Sequence, residues 1–442
     1  MTVTEFPLTF RQRWHATACQ SGWSSITVPV GVRLRDQPNL SVLHAAIDDL
    51  VRRHEALRTT LHDGPAGLVQ RVYRKLPLPI QEVPAVPLPR GLDPWGGLVA
   101  CAAENPFRVL DGPLARVHLL GVHPADQLMV LALHHSLCDA WAAAVLAREL
   151  VELIRANHQG RPPKLPRPDL QLGDYATWEA TATAQDPPAF WHKQLQTGHP
   201  PLRLGANDDA LDQPALYRSF RLPVLSPTTV ATLRKLAIEH RTTLPRLLAA
   251  GVLASLRRHL QDEVTIGLWV SNRDRVELRN VVGELAELVP VRVDIRGDPL
   301  FVDLLGRVTR AISTALEHRV PMAALVPLIR SNRQRSSGPL FDVTINVTPT
   351  DMPGPHRAGD DPSDRLGLQE LQPALEYRDF ALDRWWDGLS ILDYQHRPQP
   401  DGTVTGYLVA NVTVVPVDLA ERLARDVNAQ LELVADAVPD HG

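Results

Sequence analysis

Apolar positions recur along this chain in two periods. In "VLHAAIDDLVRRHEAL", residues 42 to 57, Leu43, Ala46, Ile47, Leu50 and Leu57 share one stripe, the spacing of an amphipathic helix. The same pattern returns in "WAAAVLARELVELIRAN" (141 to 157), "LPRLLAAGVLASLRRHL" (244 to 260) and "FVDLLGRVTRAISTALEHR" (301 to 319). Between these helices lie runs almost free of charge, "LMVLALHH", "EVTIGLWV", "LVPVRVDI", "FDVTINV" and "TVTGYLVANVTVV", which predict strands buried on both faces. The interleaving predicts a mixed α/β fold. No period of 20 to 50 residues recurs, so solenoids and propellers are set aside. Apolar signal is poorest in "ATATAQDPPAF", residues 180 to 190, which divides an N-terminal lobe, residues 1 to 180, from a C-terminal lobe, residues 190 to 442.

Composition narrows the setting. A chain of 442 residues is long for one core, in keeping with two lobes. The net charge of -4 comes with no Lys/Arg-rich block, so no nucleic-acid or membrane partner is expected. Cys19, Cys101 and Cys138 form no CxxC pair, which points to a reducing compartment without a disulfide framework or a zinc site. The N-terminal stretch lacks the apolar core of a secretion signal, no run is long enough for a membrane span, and the cytoplasm is the expected location. Proline clusters in "KLPLPIQEVPAVPLPRGLDP", "QGRPPKLPRPDL" and "PTDMPGPHRAGDDP" predict stiff surface connections.

One stretch carries candidate chemistry. "LMVLALHHSLCDAW", residues 128 to 141, brings a buried strand to two adjacent histidines and starts a helix at once. Adjacent residues on a strand face opposite ways, so His134 and His135 are expected to diverge, one toward a cavity and one behind the strand. That divergence speaks against a shared metal ion, as does having Asp139 as the sole nearby carboxylate in sequence. An arbitrary pair of histidines is ordinarily two core side chains satisfied by backbone carbonyls. Asp139 has an equally plain reading as the N-cap of the following helix. Cys138 reads either as a nucleophile beside His135 or as a small buried hydrophobe.

"HHSLCDA" resembles the HHxxxDG signature of the condensation domains of nonribosomal peptide synthetases, members of the chloramphenicol acetyltransferase-like superfamily. The flanking motifs appear in order. "LTFRQRW", with Gln12, Arg13 and Trp14, is similar to the opening motif, and "RRHEALRTTL" to the second. "GDYATW" resembles the fourth, "IGLWVSNRDRVELRNVVGELAELVPVRV" the fifth, and "HRVPMAALV" and "RQRSSGPLFDVTINV" stand where the sixth and seventh belong. The resemblance implies two chloramphenicol acetyltransferase-like α/β lobes in a V-shaped pseudo-dimer, with an active-site tunnel at their interface. It implies an acyltransferase of natural-product or antibiotic biosynthesis that joins a carrier-bound acyl thioester to an amine or alcohol, as amide or ester. No adenylation or carrier segment is seen, so a free-standing, monomeric enzyme served by an acyl or peptidyl carrier protein in trans is expected. Its only cofactor would be the carrier's phosphopantetheine arm, brought in with the donor, and no metal is expected. A catalytically inactive recruitment module and an acyl-CoA-dependent acyltransferase of the same fold are the alternatives.

By the same resemblance His135 is the base or orienting partner of the nucleophile and His134 the structural member. Asp139 pairs with an arginine of the fifth motif, Arg273 first and Arg275 second. Asn346 either hydrogen-bonds the intermediate or is a satisfied polar group on an apolar strand. Two departures stand out. Ala140 replaces the usual glycine, its methyl narrowing the path of a pantetheine arm, and "GELAEL" replaces a "GFFVNT"-like run. Glu284 and Glu287 there are read either as solvated charges on a linking segment or as attractors of a cationic acceptor.

Overall fold

The computed structural model describes residues 3–18, 23–24, 27–35, 38–65, 67–83, 105–123, 126–195, 202, 215–333, 339–348, 368–371 and 388–437. Cys19, Cys101 and most of two of the proline-rich connections lie outside them. The chain forms two compact α/β units. The first comprises Met1–Thr181, Ser271–Ala286 and Asp351–Phe380, the second Ala182–Val270, Glu287–Thr350 and Ala381–Gly442. Two later segments thus return to the first unit.

In the first unit a five-stranded sheet runs in the order Gln369–Leu371, Thr27–Leu34, Asp126–His134, Ala115–His123, Ile80–Val83. The central strand, Asp126–His134, pairs antiparallel on both sides. Its Met129, Leu131 and Leu133 join one apolar cluster with Leu43, Ile47 and Leu50 of the helix Leu40–Arg53 and Val145 and Leu146 of the helix Ala140–Gln159. Leu128, Val130 and Ala132 face the other way, into a cluster with Leu8, Leu61, Phe107 and Leu114. Both faces are therefore covered, which is why the run carries no charge, and each fully buried Leu or Val contributes about 1.5–3 kcal/mol.

The stripe over 42 to 57 is one helix only to Arg53, after which His54 turns extended and a short 3-10 turn, Glu55–Arg58, follows. Glu149 of the helix Ala140–Gln159 explains the break, because it binds Arg53 Nε and His54 Nε2, both at 2.8 Å, and fixes the chain there. The second unit is built on a six-stranded sheet in the order Tyr217–Arg221, Val404–Asn411, Ser390–Pro398, Phe341–Val347, Glu263–Val270, Glu287–Asp294. Helices Leu244–Ser255, Phe301–Glu317 and Val417–Asp436 pack with it. No described helix is long and apolar enough to cross a membrane.

Candidate active site

The central strand of the first unit ends at His134, and His135 opens a 3-10 turn, His135–Leu137, before the helix begins at Ala140. The two histidines therefore do not alternate as strand neighbours would. Both rings sit around His15, with ring centres 5.3 Å and 5.7 Å from it. His134 is fully buried against Phe107, and its Nδ1 accepts from the Ser136 amide at 3.2 Å and meets Ser136 Oγ at 2.7 Å. Burial, with His15 and His135 close by, holds its pKa well below the ordinary histidine value, so it is a neutral wedge. The His135 side chain keeps 29% of its surface exposed.

Asp139 plays both parts foreseen for it. Its Oδ1 caps the helix by accepting from the Ala142 amide at 2.8 Å. Its carboxylate also takes Arg273 Nη2 at 3.0 and 3.1 Å and the amides of Leu285 and Ala286 at 2.9 and 3.0 Å. Arg273 completes its shell on the carbonyls of Leu278, Val281 and Gly283. Arg275, the second choice from sequence, is exposed and pairs with Glu277 instead. Ala140 is the first residue of the helix, where an alanine is well suited. A side chain on Gly283 would crowd Leu172 Cδ1, 2.5 Å from the position of its Cβ, and would make that leucine side chain shift.

Glu284 and Glu287 depart from the reading as solvated charges, because both are buried. Glu287 is buried in the second unit and accepts the Met322 amide at 2.5 Å. The Glu284 side chain, 1% exposed, lies under the histidines. Its Oε1 binds Arg11 Nε and Nη2, both at 2.8 Å, and its Oε2 contacts His15 Nε2 at 3.0 Å. Oε1 also lies 2.9 Å from His135 Nδ1, within hydrogen-bond reach of that ring nitrogen. Burial alone would push the Glu284 carboxyl up, but Arg11, His135 and His15 together hold it well below the usual carboxylate range. His15 is itself kept low by burial, against the pull of Glu284.

Arg11 and His15 escaped the sequence reading, which singled out their neighbours Gln12, Arg13 and Trp14. They lie on the helix Phe10–Ala18, four residues apart and so on one face. Thr9 and Gln12 start that helix as a capping box: the Gln12 amide donates to Thr9 Oγ1 at 3.1 Å and the Thr9 amide to Gln12 Oε1 at 2.9 Å. The signals available were the T-x-x-Q box and the i, i+4 pairing of Arg11 with His15.

His15, His135 and Glu284 present ligand atoms within 4.8 Å of one another, a spacing that a metal ion accepts. Asp139 is therefore not the carboxylate nearest the histidine, as the sequence had implied. The Arg11 guanidinium already neutralises Glu284 on the oxygen that His135 shares, and a divalent ion would have to compete with that buried cation. The cluster reads as an ion-pair network. Cys138 is fully buried, its Sγ directed to the Asp139 carbonyl, and burial with Asp139 pushes the thiol pKa well up. That is the reverse of an activated nucleophile. Asn346 belongs to the second unit, where its amide donates to Gln395 Oε1 at 3.1 Å.

The sequence model of the family described as Condensation domain matches residues 3–383. Among curated proteins, phosphinothricin tripeptide synthetase PhsB of Streptomyces viridochromogenes is 30% identical, over 98% of this chain and 40% of its own length. The chain spans less than half the length of the curated relatives it matches. Among solved structures, the X-domain from teicoplanin biosynthesis is 24% identical with a TM-score of 0.77, covering 98% of this chain and 95% of that one. The first condensation domain of the calcium-dependent antibiotic synthetase, solved with a substrate analogue, is 20% identical with a TM-score of 0.73, covering 99% and 97%. These likenesses show the fold, two chloramphenicol acetyltransferase-like α/β lobes.

Proposed function

The chain belongs to the condensation-domain family, and from that premise we propose that it is an active condensing enzyme joining a carrier-bound acyl thioester to an amine or alcohol. The observation that carries the reading is His135, a partly exposed imidazole in the turn just past the end of a doubly buried strand, with a buried carboxylate against Nδ1. The acceptor nitrogen or oxygen attacks the thioester carbon. Its proton passes to His135 Nε2, the C–S bond breaks, and the departing pantetheine sulfur takes the proton back as thiol. A thioester is already activated, so alignment of the two substrates supplies much of the acceleration, about 7–11 kcal/mol in well-oriented systems. The imidazole's proton transfer contributes about 10²- to 10⁴-fold.

Asp139 and Arg273 support the reading by tying the segment 283–286 to the turn that bears His135. The donor arrives on the phosphopantetheine of an acyl or peptidyl carrier protein. The test is mass spectrometry of products after incubation with acyl-loaded carrier proteins, the matching acyl-CoA thioesters and a panel of amines and alcohols. Carrier-dependent amide or ester, lost by about 10²- to 10⁴-fold in a folded His135→Ala variant, is the expected result. Product from acyl-CoA alone would make it an acyl-CoA acyltransferase. Full turnover by His135→Ala, or no product from any pair, would overturn the reading.

A further inference from the structure

We infer that Glu284 is a positioning residue for His135: it selects the ring form carrying hydrogen on Nδ1, aims Nε2 at the acceptor and balances the imidazolium formed during transfer. The inference rests on the reading of His135 as the base and adds a residue that the HHxxxD motif does not contain. A buried ion pair with Arg11 alone would satisfy the charge of Glu284. The structure places more around it. Oε1, already bound to Arg11, lies 2.9 Å from His135 Nδ1, and Oε2 meets His15. Of the four side chains, Arg11, His15 and Glu284 are 6%, 2% and 1% exposed, and His135 alone among them reaches solvent, at 29%. The network thus joins a solvent-facing ring to a fixed negative charge.

Each neighbour has a part in the balance. Arg11 keeps Glu284 ionised, so a proton taken up by the pair stays on His135. His15 and His134, facing the same ring, are held neutral by burial and add no competing charge. Asp139 and Arg273, below the turn, cancel one another. With His135 neutral, the set Arg11, Glu284, His15 and His135 carries no net charge, and proton uptake by His135 adds one positive charge directly against the carboxylate. Glu284 is itself held between Gly283, whose carbonyl takes Arg273, and Leu285 and Ala286, whose amides take Asp139. One clamp therefore fixes both His135 and the carboxylate behind it.

The experiment is nitrogen-15 NMR of histidine-labelled protein, comparing wild type with Glu284→Gln, alongside pH profiles of kcat and KM. Wild-type His135 should show the Nδ1–H form when neutral. In Glu284→Gln that form should be lost, and the pH at which the ring titrates should fall by about 1–3 units, the usual effect of an adjacent opposite charge. The kcat profile should move to lower pH by the same amount, with KM unmoved, and Glu284→Asp should restore part of the wild-type behaviour. Because Glu284→Gln strands Arg11, the double variant Arg11→Met/Glu284→Gln, with no buried charge left over, is read in the same way. An unchanged ring form and midpoint in either folded variant would overturn the inference, even with His135→Ala inactive. Wild-type turnover by His135→Ala would overturn the role of His135 as base and leave the ring measurement to decide the pairing separately.

Discussion

Removing the Asp139 carboxylate tests the architecture of the site most directly. Asp139 and Arg273 have side chains 5% and 0% exposed. Asp139→Ala leaves the guanidinium buried without its counter-ion, a loss of about 3–5 kcal/mol. It also removes a helix cap worth about 1 kcal/mol. The amides of Leu285 and Ala286 lose their acceptor as well, at about 1 kcal/mol or more each, so we expect at least about 6 kcal/mol in all. Arg273→Ala is expected to cost less, about 3–4 kcal/mol, because three backbone amides still face the carboxylate. In the double variant neither charge is stranded, and the combined loss should fall short of the sum by about 2 kcal/mol or more. Denaturant unfolding gives the cycle. Hydrogen exchange at Leu285 and Ala286 gives its local counterpart, since both amides should lose protection in Asp139→Ala and keep it in Arg273→Ala. Strictly additive losses, or protected amides in Asp139→Ala, would refute the coupling.

Three further outcomes are expected. His134→Ala should cost about 2–3 kcal/mol in thermal or urea unfolding, from an emptied site beside Phe107, and folded protein at low temperature should retain turnover; an unaltered stability would refute its role as a wedge. Cys138→Ala should keep most activity with a packing loss of about 1 kcal/mol, and donor alone should leave no acyl adduct on Cys138 by peptide mass spectrometry; a stable adduct together with an inactive variant would establish an acyl-enzyme. Burial pushes the Glu179 carboxyl up to about 7 against the amide of Phe10 and the hydroxyl of Tyr175. Its unfolded form gives up its proton first as pH rises, so its contribution is full below about 4.5 and is lost as pH climbs to about 7, by at most about 3 kcal/mol. Glu179→Gln should flatten that slope in unfolding measured across pH 4.5 to 7, and an unchanged slope would refute the assignment.

The elements that a local pattern can specify were readable from the chain. Strands such as Glu263–Val270 and Phe341–Val347 match the nearly charge-free runs end to end, each carrying a single acid, Glu263 or Asp342, at or next to its start. The pairing of Asp139 with Arg273 was readable through motif order. The end of the helix at Arg53 was not, because Glu149, 96 residues on, sets it. Glu284 was read as a solvated charge or as an attractor of a cationic acceptor for the same kind of reason. An acid in sequence carries no mark of burial, and its partners Arg11 and His15 lie 273 and 269 residues away. Strand alternation accounts for His134 alone, since it lasts only as long as the pleat and His135 already lies in the turn, although His134 is buried and His135 reaches solvent.

The first unit is assembled from three separate stretches of chain, and its clamp residues lie far from the histidines they support. A recombination junction falling anywhere between Thr181 and Ser271 would take the histidine turn from one parent and the segment bearing Arg273 and Glu284 from another. Asp139 would then meet a foreign arginine, and Arg11 and His15 a residue other than the acid they surround. Arg11, His15, His135, Asp139, Arg273 and Glu284 are inherited usefully only as a set, so a chimaera that respects the visible midpoint of the sequence still cuts through its working centre.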